Sequence, residues 1–357
     1  MFNDNHARFL TGRSQEFGPD RCFMCGRHIP VGSALRTEEH VFPKWLQREF
    51  DLWNGRVQQI NAQLLPYSQL TIPCCLPCNG VDLSAIEDRV KAAYLDGLEA
   101  FTKLDRRDLF IWLGKIYYGM IYKESLRPMF EREQNGARLV PESHLQTVTF
   151  HHFLLQSVCG QVDWQPSYPG PASFHFFECL DHEDPRLRFD YLDDLFTPII
   201  GLRLGKIGVV CILQDWGRSE DTQQLQLNAA KDMSLHPTQF REVYARLNYM
   251  TKVSWQNKTH VVIGTNDSAT VMAGDLGEFS GTFVDEDYAQ ILSSVWNVPV
   301  AAICKDGHTF SSICDPNGYQ YVARSHDVLF KTPAGTTGLW PAHLIDTTTE
   351  TWEKPNL

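Results

Sequence analysis

CFMCGR at residues 22–27 and CCLPCNG at residues 74–80 decide how the first part of this 357-residue chain is read. Each stretch holds a CxxC pair, Cys22/Cys25 and Cys75/Cys78, with 49 residues between the pairs. A CxxC on a tight turn points both thiolates at one ion, so two pairs make a tetrahedral set for a single zinc. Gly26 and Asn79 follow the second cysteine of each pair. Both residue types accept the left-handed backbone that such a turn favours. A redox dithiol of thioredoxin type would come once, in a βαβ setting. Cys74 offers a second spacing to Cys78, but Cys75 repeats the spacing of the first pair and is preferred. The later cysteines, Cys159, Cys179, Cys211, Cys304 and Cys314, have no ligand spacing and read as small core residues.

Between the pairs lies TEEHVFPKWL, residues 37–46, and directly after them NGVDLSAIE, residues 79–87. An acidic residue beside a histidine, a proline three positions on, and an asparagine after the last cysteine occur in a fixed order. In this the chain resembles the HNH endonucleases, the ββα-metal nucleases, and among them the branch with CxxC…EHVxPKWL…CxxCN. The resemblance covers residues 20–90. It implies a nuclease in which Glu39 and Asn79 are ligands of a catalytic divalent ion, Mg2+ or Mn2+, and His40 is the general base. It also implies an asparagine ahead of Asn79 that orients the base. This chain has Leu70 there, with Gln69 the nearest amide and Asn61 farther upstream.

The residues support those roles chemically. Hydrolysis of a phosphodiester needs a water activated for in-line attack and a cation to stabilise the developing charge. His40 suits the base, because imidazole is largely neutral near pH 7. Glu39 and Asn79 offer the hard oxygens that Mg2+ prefers, while four thiolates suit a separate structural zinc. Glu38 reads as the solvated neighbour of Glu39, or as its substitute. Lys44 reads as a phosphate contact or an ordinary surface lysine, and Trp45 and Leu46 as packing. Ser84 and Glu87 have the spacing of a capping box, which would make Glu87 a cap and start a helix at residue 84. Asp82 reads as a residue complementing the helix dipole, or one assisting the metal.

Composition sets the limits. Charged residues are 21% and hydrophobic residues 43% of the chain, as in an ordinary globular protein. No run is long and apolar enough to span a membrane, and the polar N-terminus is unlike a secretory signal, so a cytoplasmic protein is expected. The net charge is −11, and the first 90 residues hold 9 basic and 10 acidic residues, which leaves −10 on the remainder. A nucleic-acid site is therefore expected in the first segment, and the acidic remainder is better suited to a protein partner or an activating ligand.

The expected fold is α+β: an HNH module over residues 1–105, stabilised by zinc, followed by a larger mixed α+β domain over 106–357. Apolar spacing predicts helices from residue 84 and over 105–124. Residues 127–142 read as a loop. VTFHHFLLQSV (148–158), ASFHFFECL (172–180) and IIGLRLGKIGVVCILQDWG (199–217) read as strands. A helix is expected from His236, another over 285–296, and short strands at THVVIG, SATVMAG, VPVAAIC and QYVARS. The expected function is metal-dependent cleavage of nucleic acid, DNA first, in the manner of a restriction or antiviral defence effector. The rival is a non-catalytic zinc module that binds nucleic acid or protein.

Overall fold

A computed structural model describes residues 18–58, 64–125, 142–160, 162–164, 170–194, 197–220, 224–254, 260–264, 269–274, 283–305, 307–314, 320–325, 328–331 and 339–341. The chain is mixed α+β and falls into two compact units. One comprises Met1–Ser173, Leu213–Gly217 and Lys258–Leu276; the other comprises Phe174–Ile212, Arg218–Asn257 and Gly277–Leu357.

The first unit is built on an antiparallel pair, β1 (Arg36–His40) and β4 (Thr71–Cys75), in register from Arg36 opposite Cys75 to His40 opposite Thr71. Between them run α1 (Lys44–Glu49) and a small hairpin of β2 (Arg56–Gln58) and β3 (Leu64–Pro66). After β4 a π-helical turn, Cys78–Leu83, leads without a break into α2 (Ser84–Asp96). Gly97, at φ +98°, ends α2, and α3 (Leu98–Thr102) follows. The apolar stripe expected along this region is present, with Ile86, Val90 and Phe101 buried.

The capping box does not form. Ser84 sits at φ −58° and ψ −43°, inside continuous helical backbone, and its N–H is already bonded to carbonyls of the preceding turn. A cap has no orphan donor to satisfy there.

The next helix, α4 (Arg106–Ser125), is the spine of the unit. Its residues from Asp108 to Tyr122 are all buried, which accounts for an apolar stripe too wide for a surface helix. Two glycines let neighbours come close. A Cβ on Gly119 would lie 2.8 Å from a Val41 methyl carbon, and one on Gly114 would lie 2.9 Å from the His151 ring. The division expected between residues 105 and 106 does not coincide with the observed one, because α4 and α5 (Glu142–Leu155) both belong to the first unit. The stretch read as a strand at 148–158 is the end of α5 and a following 3-10 turn. A continuous apolar run does not reveal its own period. The loop expected over 127–142 lies, up to residue 141, outside the described residues.

The second unit carries an antiparallel sheet in the order β5 (Ala172–Glu178), β8 (Ile207–Leu213), β7 (Ile199–Leu204) and β6 (Phe189–Asp194). Ala172–Glu178, Ile199–Leu204 and Ile207–Leu213 are the strands expected at 172–180 and 199–217, the latter split at Gly205, whereas Phe189–Asp194 is a strand the sequence pattern did not reveal. The small α6 (Leu225–Lys231) and the long α7 (Pro237–Ser254) pack their apolar residues with the sheet. Gly201 and Gly208 make room for Tyr244 and Phe240. A further helix, α8 (Asp285–Trp296), adds a second cluster on α7 through Tyr288, Leu292 and Trp296. VPVAAIC, expected as a strand, instead forms a short helix over Val300–Ile303 behind Pro299, with only Cys304–Lys305 extended. Among the described residues, no helix is long and apolar enough to cross a membrane.

Candidate functional site

Cys22 and Cys25 lie on a turn closed by Gly26 N–H donating to the Cys22 carbonyl at 2.9 Å. Gly26 takes the left-handed backbone expected of it, at φ +70°. Asn79 does not, because it belongs to the π-helical turn. The Phe23 N–H donates to the Pro73 carbonyl at 2.9 Å and pins this turn to β4, whose last residue is Cys75. Cys78 opens the turn after β4.

The ligand atoms of Cys22, Cys25, Cys75 and Cys78 all lie within 4.8 Å of one another, so these four can hold a metal ion. The Cys25 and Cys75 sulfurs are 3.7 Å apart. That matches the edge of a tetrahedron with metal–sulfur bonds of about 2.3 Å, as zinc makes. Cys75 and not Cys74 completes the set, although the Cys74 sulfur is 3.8 Å from that of Cys22. Hydrogen bonds from Cys25, Cys74 and Cys78 hold the Cys22 thiol far below the usual thiol range. The same contacts push Cys74 and Cys78 well up. One thiolate shared among neighbours in this way needs a cation before the rest can ionise.

Next to the cysteine cluster, the end of β1 and the start of the π-helical turn face an open cleft of about 230 Å³. Its walls include Glu38, Glu39, His40, Lys44, Asn79 and Glu87. The three residues singled out in the sequence thus line one cavity. Asp82 is not among its lining residues. Trp45 also reaches the cleft, but its ring stacks on Trp112 of α4 with centroids 6.3 Å apart, which is the expected packing role.

The orientation of Asn79 follows from a chain of two bonds. The Thr37 hydroxyl donates to the Cys74 carbonyl at 2.8 Å. Its oxygen can then only accept, so the Asn79 atom 2.9 Å away must be the amide nitrogen. The amide oxygen is left as the group Asn79 can offer a ligand.

Glu39 is only 7% exposed, and its carboxylate accepts from the ammonium of Lys115 on α4. Lys115 also donates to Glu87 Oε1 at 2.6 Å and to the His40 carbonyl at 3.2 Å. Burial favours the neutral form of Glu39 and raises its pKa, against the pull of Lys115. Burial works against the ammonium too, but the two carboxylates more than reverse it and raise the pKa of Lys115. Glu38 is bound to Arg36 at the surface, with a nearest contact of 3.0 Å, so it is Glu39 that enters the buried network.

His40 is half-buried, and burial together with the charges of Lys44 and Lys115 lowers its pKa. The imidazole is therefore neutral at pH 7. Its ring lies against Trp53, centroids 5.8 Å apart. Nδ1 is buried without a hydrogen-bond partner among the described residues. Leu70, at the place where the resemblance implies an orienting asparagine, is fully buried and apolar.

Comparison with known protein families, characterised proteins and solved structures gives no match. The site therefore stands on its own geometry. Sequence reasoning missed Lys115, the shared partner of Glu39 and Glu87. The signal was a single charge, Lys115, within the apolar run from Leu109 to Tyr122. A lysine in such a place is almost never fully buried unless paired. His151 and His152, read as packing residues, are buried; His151 bonds the Gly114 carbonyl at 3.0 Å, and His152 bonds the Phe23 carbonyl in the cysteine turn.

Proposed function

We propose that this chain is a metal-dependent endonuclease of HNH type that hydrolyses phosphodiester bonds, with DNA as its first candidate substrate. One observation carries the reading: Glu39, His40 and Asn79 line a single cleft beside a metal-competent cysteine cluster. A zinc ion on Cys22, Cys25, Cys75 and Cys78 would be structural, fixing β4 and the following turn and hence the position of Asn79. The cleft supplies hard oxygen donors, a carboxylate and an amide, that fit Mg2+ or Mn2+. Such an ion would stabilise the negative charge that develops on the phosphorus oxygens.

The chain's own residues account for the remaining work. Neutral His40 accepts the proton of the attacking water. With Nδ1 buried, Nε2 is the nitrogen left to do so. Lys44, exposed at the rim, is placed to receive a phosphate as a point charge. The second unit, with the acidic part of the chain, would receive a protein partner or ligand that triggers cleavage in antiviral defence.

One observation favours the rival. Glu39 already has a cation in Lys115, as a site without catalytic metal would require. The test is incubation of purified protein with plasmid DNA, linear DNA and RNA in the presence of Mg2+, Mn2+ or EDTA. Cleavage that needs the divalent ion and is lost in Glu39→Ala supports the nuclease. Tight nucleic-acid or protein binding without cleavage by wild type supports the rival.

A further inference from the structure

Lys115 has three N–H donors, and three acceptors meet them: Glu39 Oε1, Glu87 Oε1 and the His40 carbonyl. Its side chain is 1% exposed and is not part of the cleft wall. No donor is left to reach a substrate phosphate. The ammonium therefore acts only on the groups around it.

We propose that Lys115 is a built-in cation in the inner place between Glu39 and Glu87, so that the cleft takes one divalent ion and Glu39 offers it a single oxygen. Lys115 is a positioning residue, and the proposal rests on the reading of Glu39 as a metal ligand. In carboxylate sites with two metal ions, the ions lie about 4 Å apart and together clamp the reacting phosphate. Here the chain supplies the inner charge itself. The group formed by Glu39, Glu87 and Lys115 carries −1 in place of the −2 of the two carboxylates alone. Affinity for a hard cation rises with the charge of its ligands. Lys115 thus holds the affinity down and keeps Glu39 Oε1 out of the coordination shell.

This makes an unusual demand on a mutant: removal of the lysine should strengthen metal binding while impairing turnover. A lysine that merely packs α4 against β1 would do the reverse or nothing. The experiment is titration of Mn2+ into the zinc-loaded full-length protein, by calorimetry and by electron paramagnetic resonance. Lys115→Gln removes the charge but retains donors, and Lys115→Arg retains the charge. The expected result is Mn2+ binding about tenfold tighter in Lys115→Gln than in wild type. Lys115→Arg should bind as wild type does, and Mn2+ should raise the melting temperature of Lys115→Gln more than that of wild type.

If Lys115→Gln folds only with Mn2+ present, the ion has replaced the ammonium and the proposal is supported. If it folds with unchanged or weaker affinity, the proposal is overturned. If it does not fold in either condition, Glu87→Gln decides: the loss of one carboxylate should weaken Mn2+ binding, and unchanged binding overturns the proposal. A wild type that binds no Mn2+, or binds it equally well in Glu39→Ala, overturns the nuclease reading along with this one. A wild type with Glu39-dependent binding that is not tightened in Lys115→Gln overturns this proposal alone.

Discussion

Asn79 donates its side-chain amide to the hydroxyl of Thr37 at 2.9 Å. The bond links the first residue after the cysteine pair to the second residue of β1, and it leaves the amide oxygen for a ligand. Thr37→Val keeps the shape of the side chain and removes the hydroxyl. The amide is then free to turn. Loss of such an orienting partner costs about tenfold or more in metal affinity. Calorimetry with Mn2+ should show that weakening, and the cleavage rate should fall with it. Equal affinity in folded Thr37→Val would mean that Asn79 takes no part in holding the ion.

The cysteine cluster predicts about one zinc per chain on the single-ion reading. Elemental analysis measures it directly. Stripping the ion withdraws binding free energy on the order of 10 kcal/mol from the folded first unit. Chelation or Cys75→Ser should therefore unfold or strongly destabilise that unit. Cys74→Ser should leave the zinc content unchanged, because Cys74 lies outside the four-sulfur set. A protein that is folded and metal-free, with its melting temperature unmoved by chelator, would contradict this.

Burial holds the pKa of His151 down at about 4, despite the opposing bond to Gly114. Free imidazole titrates near 6.5. The unfolded chain therefore binds a proton more readily than the folded one between those values. The stability that neutral His151 contributes is fully present above pH 6.5 and is lost as pH falls through 4. The loss amounts to about 3 kcal/mol at the low end of the window, at roughly 1.4 kcal/mol per pKa unit. Urea unfolding of the first unit from pH 7.5 to 4 should show this slope. His151→Gln should flatten it, whatever its effect at neutral pH. An unchanged slope would assign the acid sensitivity to other groups.

The parts of the site that were legible in the sequence are those fixed by local spacing. The two CxxC turns, the Glu39–His40 step and the position of Asn79 all depend on neighbours a few residues away. Helices α2 and α4 announce themselves by period. The Lys115 network does not, because its partners lie 76 and 28 residues away in sequence. Only packing of α4 across β1 and α2 brings them together. The same packing explains why the expected edge at residue 105 is not an edge: Lys115 and His152 both reach back to hold residues of the cysteine-bounded element. The stretch at 148–158 is helical where a strand is expected, because apolar residues on every face of a helix look like a buried strand.

His40 is the most direct test of the account. Its imidazole is half-buried and neutral, and it lines the same cleft as Glu39 and Asn79. The measurement is the rate of plasmid cleavage in saturating Mg2+ by wild type and by His40→Ala, with zinc content and circular dichroism recorded for both. A general base contributes about 10²–10⁴-fold. The account predicts a loss of that size in a mutant that keeps its zinc and its fold. A folded, zinc-loaded His40→Ala protein that cuts at the wild-type rate would contradict it.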